Sequence, residues 1–519
     1  MSTASSSAEH RSPAAVVAEA GRATTDVGAL FRFRLAGLRG RSRYAPPTAL
    51  AVIALLTVAA AVVPAFLPDY GITRHDVLIV LPSGYLSVLV ISVVSAATSG
   101  GGRELLPRDQ AVTFPISPTT DHLGALLMAP LNIAWLLQCW SVLAATSYAV
   151  GSRPTLVLAL LPVLAWLGAA TAVAQLLAWA VEWVRRGPHG AYVVRTAAVL
   201  LAAVMAVLIG TGRLTDALDN SPTLRIAVGV VDGAAGRWQP WLRLVAGLLV
   251  GSALAVALGA WTAGRVARRP ARDELRGESS VRPAQRNPAS DLVALLRTDR
   301  TSIWRSVPMR RGMLLLAVFP GLVALGGSFE WDMLNVFPGL VASGGALLFG
   351  VNSWCLDGRG ALWRDSLPVS PHLGLLSRVL VLLEILLASV AVTLLLASLR
   401  AGVPTVSELA AVLCGSVVVS VQVVATALHW SVRHPYAVDL RSARATPAPP
   451  LVMVGYSARL AVATTFTGLL FTITSRLPWG WSLLVCVPFL LWSAVKLHGT
   501  NAAWGVPEVR SGVIATVAV

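Results

Sequence analysis

Residues 155–183 read TLVLALLPVLAWLGAATAVAQLLAWAVEW, a stretch with no charge before Glu182 near its end. A helix rises 1.5 Å per residue, so about 20 apolar residues cross a hydrocarbon core roughly 30 Å thick. This stretch is long enough to do so. Working outward from it, runs of the same kind occupy 48–67, 77–98, 123–148, 192–212, 240–263, 312–328, 333–354, 371–399, 404–429, 451–475 and 479–495. Together they make twelve candidate spans of an all-α polytopic membrane protein. The shortness of the run at 312, and Glu330 and Asp332 beside the next one, keep a re-entrant segment and a count of ten or eleven open.

The bulk composition agrees. Of 519 residues, 55% are hydrophobic and only 13% charged, which is too apolar for an ordinary soluble enzyme. Residues 1–47 are Ser/Ala-rich and then Arg-rich, without the short apolar core or cleavage site of a signal peptide. Cytoplasmic loops collect Lys and Arg. Placing the amino terminus inside puts most of the 41 Lys and Arg residues, and the whole formal excess of +16, on the cytoplasmic side of the twelve spans. Both termini are therefore expected in the cytoplasm. Topology and anionic lipid account for such basic loops without nucleic acid.

Cys139, Cys355, Cys414 and Cys486 all fall in or at the edge of spans, with neither a C-x-x-C pair nor histidines at ligand spacing, and read as small apolar packers. Trp183, Trp238, Trp241, Trp331, Trp354, Trp430 and Trp479 lie near span ends, where amphipathic rings prefer the membrane interface.

A phrase recurs. RDQAVTFPISP at 108–118, with HLG at 122–124, links the second candidate span to the third; RDSLPVSPHLG at 364–374 links the eighth to the ninth. Other echoes keep this order: EWVRRGPH at 182–189 with HWSVRHP at 429–435, and RTAAVLLA from Arg195 with RLAVATTF from Arg459. Each set of six follows a basic amphipathic stretch, LFRFRLAGLRGRSR at 30–43 and DLVALLRTDRTSIWRS at 291–306. In the first, Phe31, Leu35 and Leu38 share one helical face and Arg32, Arg39 and Arg43 another, as in a helix lying on the inner membrane surface.

The pattern predicts two homologous, parallel six-helix halves, each preceded by an interfacial amphipathic helix. The segments are then an N-terminal part at 1–47, a first half at 48–263, a linker with the second interfacial helix at 264–311, a second half at 312–497 and a tail at 498–519. The charged, Pro- and Ser-punctuated linker suits a flexible tether. The one long outer connection, 213–239, is too small for a solute-capturing domain.

Much chemistry is missing. With a single lysine, Lys496, no G-x-x-x-x-G-K-[ST] phosphate loop exists, and there is no H-E-x-x-H and no Gly-x-Ser-x-Gly elbow. The chain is therefore not expected to be an enzyme. Asp216 and Asp219 read as solvated loop charges. Two charges fall within spans, Glu384 in the ninth and Arg459 in the eleventh. Such charges usually find a partner, and an ion pair between them is the first expectation, ahead of a substrate-contacting or proton-coupling role.

The basic amphipathic helix, six spans, the R-D-x(n)-P-[IV]-S-P loop between the second and third span and the longer loop before the sixth together resemble an ABC-2 type transporter permease. Here two such halves are fused, as in large actinobacterial export permeases. The short connection around SRLPWGW in the second half departs from that pattern. The resemblance implies an exporter subunit of the cell membrane that binds no cofactor, works with a separate cytoplasmic ATPase holding ATP and Mg, and moves a hydrophobic or amphipathic substrate outward. It also implies that the repeated loops dock that ATPase, one nucleotide-binding domain each. The residues concerned are Arg108, Asp109, Phe114, Pro115, Ser117 and Pro118 in one loop and Arg364, Asp365, Leu367, Pro368, Ser370 and Pro371 in the other. In each, the serine between prolines is placed to cap the following helix. A twelve-span secondary transporter and a lipid-linked glycosyltransferase using Asp216, Asp219 and Asp232 are the alternatives.

Overall fold

Proline decides where the first long helices break. In the computed structural model, which describes residues 13–36, 45–68, 73–98, 116–131, 133–213, 216–217, 220–269, 287–327, 329–358, 360–437, 448 and 450–518, every regular element among the described residues is helical. These residues fall into two compact units, 1–208 with 212–272, and 273–519 with 209–211.

The first unit contains α1 (Pro13–Ala36), α2 (Ala45–Val62), α3 (Arg74–Thr98), α4 (Pro118–Met128), α5 (Ile133–Val150), α6 (Leu156–Arg185), α7 (Gly190–Gly210), α8 (Leu224–Ala234) and α9 (Trp238–Ala267). The run at 123–148 is not one helix: α4 gives way to a 3-10 turn at Ala129–Leu131 before α5 begins. Pro130 has no N–H to donate and its ring crowds the preceding turn, so the helix breaks there. In α6 the chain continues through Pro162. The carbonyl of Leu158, four residues back, loses its helical donor, and the Trp241 indole N–H replaces it at 2.9 Å. The core between α3, α5, α6 and α8 gathers Tyr85, Leu143, Val163, Leu167, Ile226 and Val230, and Tyr85 satisfies its hydroxyl with Thr146 Oγ1 at 2.8 Å.

The second unit contains α10 (Asp291–Arg305), α11 (Val307–Gly327), the one-turn α12 (Trp331–Leu334), α13 (Phe337–Phe349), α14 (Gly360–Asp365), α15 (Pro371–Ser398), α16 (Val406–Arg433), α17 (Pro450–Thr474), α18 (Gly480–Gly505) and α19 (Pro507–Val517). A capping box opens α16: the Thr405 side chain accepts from the Glu408 N–H while the Glu408 carboxylate accepts from the Thr405 N–H. α18 runs ten residues past the expected end of its span at 495, and α19 follows it.

Among the described residues, seven helical stretches are long and apolar enough to cross a membrane: Arg74–Ala96, Leu156–Arg185, Trp238–Ala267, Trp331–Asn352, Pro371–Ser398, Val406–Arg433 and Gly480–Gly505. Shorter apolar helical stretches occupy Leu50–Phe66, Tyr192–Leu201, Gly312–Leu325 and Val462–Thr474. Leu249, Val250, Leu254 and Trp261 on α9, and Leu484, Leu491, Trp492 and Val495 on α18, are exposed on the protein's own surface. Water would penalise that much apolar area and lipid would not, so the chain is a helical, multi-pass membrane protein.

A sequence expectation changes here. Residues 213–239 do not form a plain loop, because α8 packs Ile226, Ala227 and Val230 into the core of the first unit. Gly233 lies against the α6 backbone, where an added Cβ would come 2.7 Å from the Leu158 carbonyl oxygen, so only glycine allows that approach. Within the linker, 291–305 forms α10, the expected amphipathic helix, and Leu295, Asp299 and Ile303 are buried against its neighbours.

Candidate docking site around the second loop

α14 ends in Arg364 and Asp365, the chain turns through Ser366–Ser370, and Pro371 starts α15. Arg364 points inward. Its guanidinium makes a two-pronged ion pair with Asp299 of α10, the Nη2–Oδ2 contact measuring 3.1 Å, and donates to the Gly374 carbonyl at 3.3 Å. Behind it, Arg378 is fully buried, with Nη2 2.6 Å from Asp357 Oδ2 and 3.2 Å from Asp299 Oδ1. Ser377 Oγ donates to Asp299 Oδ2 at 2.6 Å. Two arginines and two aspartates thus neutralise one another with little exposure to solvent. Burial opposes charge on Asp299, yet Arg378 and Arg364 outweigh it and hold the carboxyl below its ordinary range.

Above this cluster the Trp354 ring lies 5.4 Å from the Arg378 guanidinium and stacks on Trp504, with centroids 4.0 Å apart. Asp365 turns the other way, accepting from Arg510 Nε of α19 at 2.8 Å. Loop and C-terminal helix enclose a cavity of about 320 Å³, lined by Leu367, Pro368 and Pro371 on one side and Val513, Ile514 and Val517 on the other. The residues left facing outward on α14 are Leu362 and Trp363, both more than half exposed. Ser370 is exposed and makes no side-chain cap, contrary to the capping expectation.

Of the first loop, Arg108, Asp109, Phe114 and Pro115 lie outside the described residues. Ser117 does cap α4, accepting from the Thr120 N–H at 3.0 Å, with Pro118 as the first helical residue. Thr119 donates to Glu19 of α1 at 3.0 Å, and Val27 and Leu30 of α1 pack on Leu123 and Met128.

The histidine of each HLG triplet has a role the sequence did not disclose. His122 is buried; its Nδ1 accepts from the Trp179 indole N–H and its Nε2 donates to the Val256 carbonyl, both at 3.1 Å. It lies so close to α9 that a Cβ on Gly259 would be 2.4 Å from the ring. His372 hydrogen-bonds Asn501 of α18 at 2.9 Å and faces Gly505. Each histidine therefore meets the last long helix of its own unit at a glycine.

Glu384 and Arg459 do not pair. Glu384 binds Arg300 of α10 at 2.8 Å, because the same helix that turns Asp299 inward carries Arg300 along the flank of α15. Arg459 lies over the Trp430 ring, 5.8 Å from its centroid. Among the acids considered for sugar transfer, Asp216 is exposed, Asp219 lies outside the described residues, and Asp232 is buried against Arg237 at 2.9 Å. Glu182 of the EWVRRGPH echo is buried and pairs with Arg185 and Arg186 at 2.7 and 2.9 Å.

No family model, curated protein or solved structure matches the chain.

Proposed function

We propose that the chain is the permease subunit of an ATP-binding cassette exporter of ABC-2 type, with twelve spans in two homologous halves, and that its repeated loops receive a separate ATPase. One observation carries the reading: several helix pairings of the first unit recur in the second, although α17 packs on α13 and α16 while its counterpart α7 has no such neighbours among the described residues. α1 packs on α4 as α10 packs on α15; α3 packs on α5 and α6 as α13 packs on α15 and α16; α6 packs on α9 as α16 packs on α18. In each unit the phrase-bearing helix meets the last long helix, with its histidine against a glycine there. A loop serving as a docking element must pass force inward. In the second unit Arg364 ties α14 to α10 and α15 through buried charge while Leu362 and Trp363 remain outside for a partner.

This division of labour shifts the docking role from Arg364 to its exposed neighbours. The test is co-purification of the full chain with the product of an adjacent ATPase gene, for wild type and for L362A/W363A. Loss of the ATPase from the variant, with unchanged yield of the permease, is expected. Undiminished association would remove the docking role from this loop. Drug-stimulated or lipid-stimulated ATP hydrolysis by the reconstituted pair would then test export itself.

A further inference from the structure

The chain's only lysine lies among positive charges. Lys496 of α18 donates to Thr426 Oγ1 of α16 at 3.2 Å, and Arg433 at the end of α16 and Arg459 near the start of α17 lie within electrostatic reach of it. His429 and His434 belong to the same group; His434 stacks on Trp430 at 4.4 Å, and the Arg459 guanidinium is 5.8 Å from the centroid of that indole. Among the described residues no carboxylate pairs with Arg433, Arg459 or Lys496. The Trp430 indole N–H is also buried without an acceptor. Like charges held this close repel one another, whereas Arg364, Arg378 and Arg510 of the same unit each have an acid. Among the described residues the constellation holds no anion.

The surroundings indicate which kind would fit. From Arg459, the exposed Val462 and Phe466 continue along the same face of α17, and beside Lys496 the exposed Trp492 and Val495 continue along α18. A free phosphate would have no use for these apolar walls, whereas a lipid carries an anion and acyl chains at that spacing. We propose that α16, α17 and α18 form a site for an anionic phospholipid, whose phosphate is held by Arg433, Arg459 and Lys496 with Trp430 as a further donor, and whose chains lie along Val462, Phe466 and Trp492. Basic pockets between membrane helices bind such headgroups for this reason.

The test uses the full chain in detergent, with native mass spectrometry and thermal unfolding during titration by phosphatidylglycerol, phosphatidylcholine or inorganic phosphate. Phosphatidylglycerol is expected to bind at least about tenfold more tightly than phosphatidylcholine and to raise the melting temperature, and R433Q/R459Q/K496Q to lose that preference. The equally charged change R213Q/R225Q/R243Q is expected to keep it. Should the triple variant fail to fold, K496Q alone is expected to weaken binding severalfold. Equal binding of the two lipids, unchanged preference in R433Q/R459Q/K496Q or K496Q, or displacement of phosphatidylglycerol by millimolar inorganic phosphate would each overturn the assignment.

Discussion

Arg364 and Asp299, 65 residues apart, face each other across a site in which Asp299 is wholly shielded from solvent. Asp299 also serves Arg378, so one carboxylate answers two guanidinium groups. Removing one partner of a buried pair typically costs about 3–5 kcal/mol, because the remaining charge is left without compensation. D299N is expected to fall in that range by denaturant titration in detergent, and D299N/R364M to recover part of the loss. Simple additivity of D299N and R364M would show that the two side chains do not act on each other.

The same carboxylate sets a pH dependence. Its folded-state value lies below the ordinary 3.8 of an aspartate, so its contribution is complete above the unfolded-state value and is lost as the pH falls through the folded-state one. Between pH 7 and 5 wild type and D299N should therefore keep a constant difference in stability. Below about pH 4 the difference should shrink. Melting curves across this range check it; a difference independent of pH down to about 3 would show that folding does not lower the pKa of Asp299.

Trp241 and Pro162 should be coupled. The indole N–H serves the Leu158 carbonyl that Pro162 leaves without its helical donor. W241F is expected to cost about 1–3 kcal/mol in wild type, and much less in the P162A background, where the substituted alanine supplies the missing backbone N–H. Thermal or denaturant unfolding of the four proteins measures the coupling. An equal cost in both backgrounds would mean that the tryptophan contributes by packing alone.

Glu384 and Arg300, each about half exposed, hold one another, and Arg459 is not part of the pair. The effect of E384Q should therefore be the same with or without R459Q. A thermal-shift comparison of the single and double variants decides this. A large loss in E384Q rescued by R459Q would restore a direct tie between Glu384 and Arg459.

The Asp365–Arg510 bond holds α19 against the loop together with Val513, Ile514 and Val517. R510D is expected to expose the Val506 junction to limited proteolysis, and D365R/R510D to protect it again. Cleavage at wild-type rate in R510D would assign the seating of α19 to its apolar residues.

Apolar runs mark where helices lie, because length and hydropathy need no knowledge of neighbours, but not where they break, as at Pro130 within 123–148. The packing of α8 was partly legible too, in the spacing of Ile226, Ala227 and Val230, but its loop setting between Pro and Gly residues concealed it. Arg378 was not, since a single arginine near a span end looks like a side chain reaching for the interface. Nor was the direction of Arg364: a one-residue change in turn geometry decides whether it or Trp363 faces the protein, and RDSLPVSP is compatible with both. In the sequence Glu384 and Arg459 look like partners because both stand in apolar runs, whereas the partner of Glu384 comes from α10, whose packing on α15 no linear pattern encodes.

The break at Pro130 makes the helices that follow the two repeated loops mechanically unequal. A push delivered at Ser370 enters α15, an unbroken rod of 28 residues and about 42 Å. The same push at Ser117 enters only the 11 residues of α4 before reaching a joint at Ala129–Leu131. One loop is thus joined to a single stiff rod, the other to a short helix that ends in a joint.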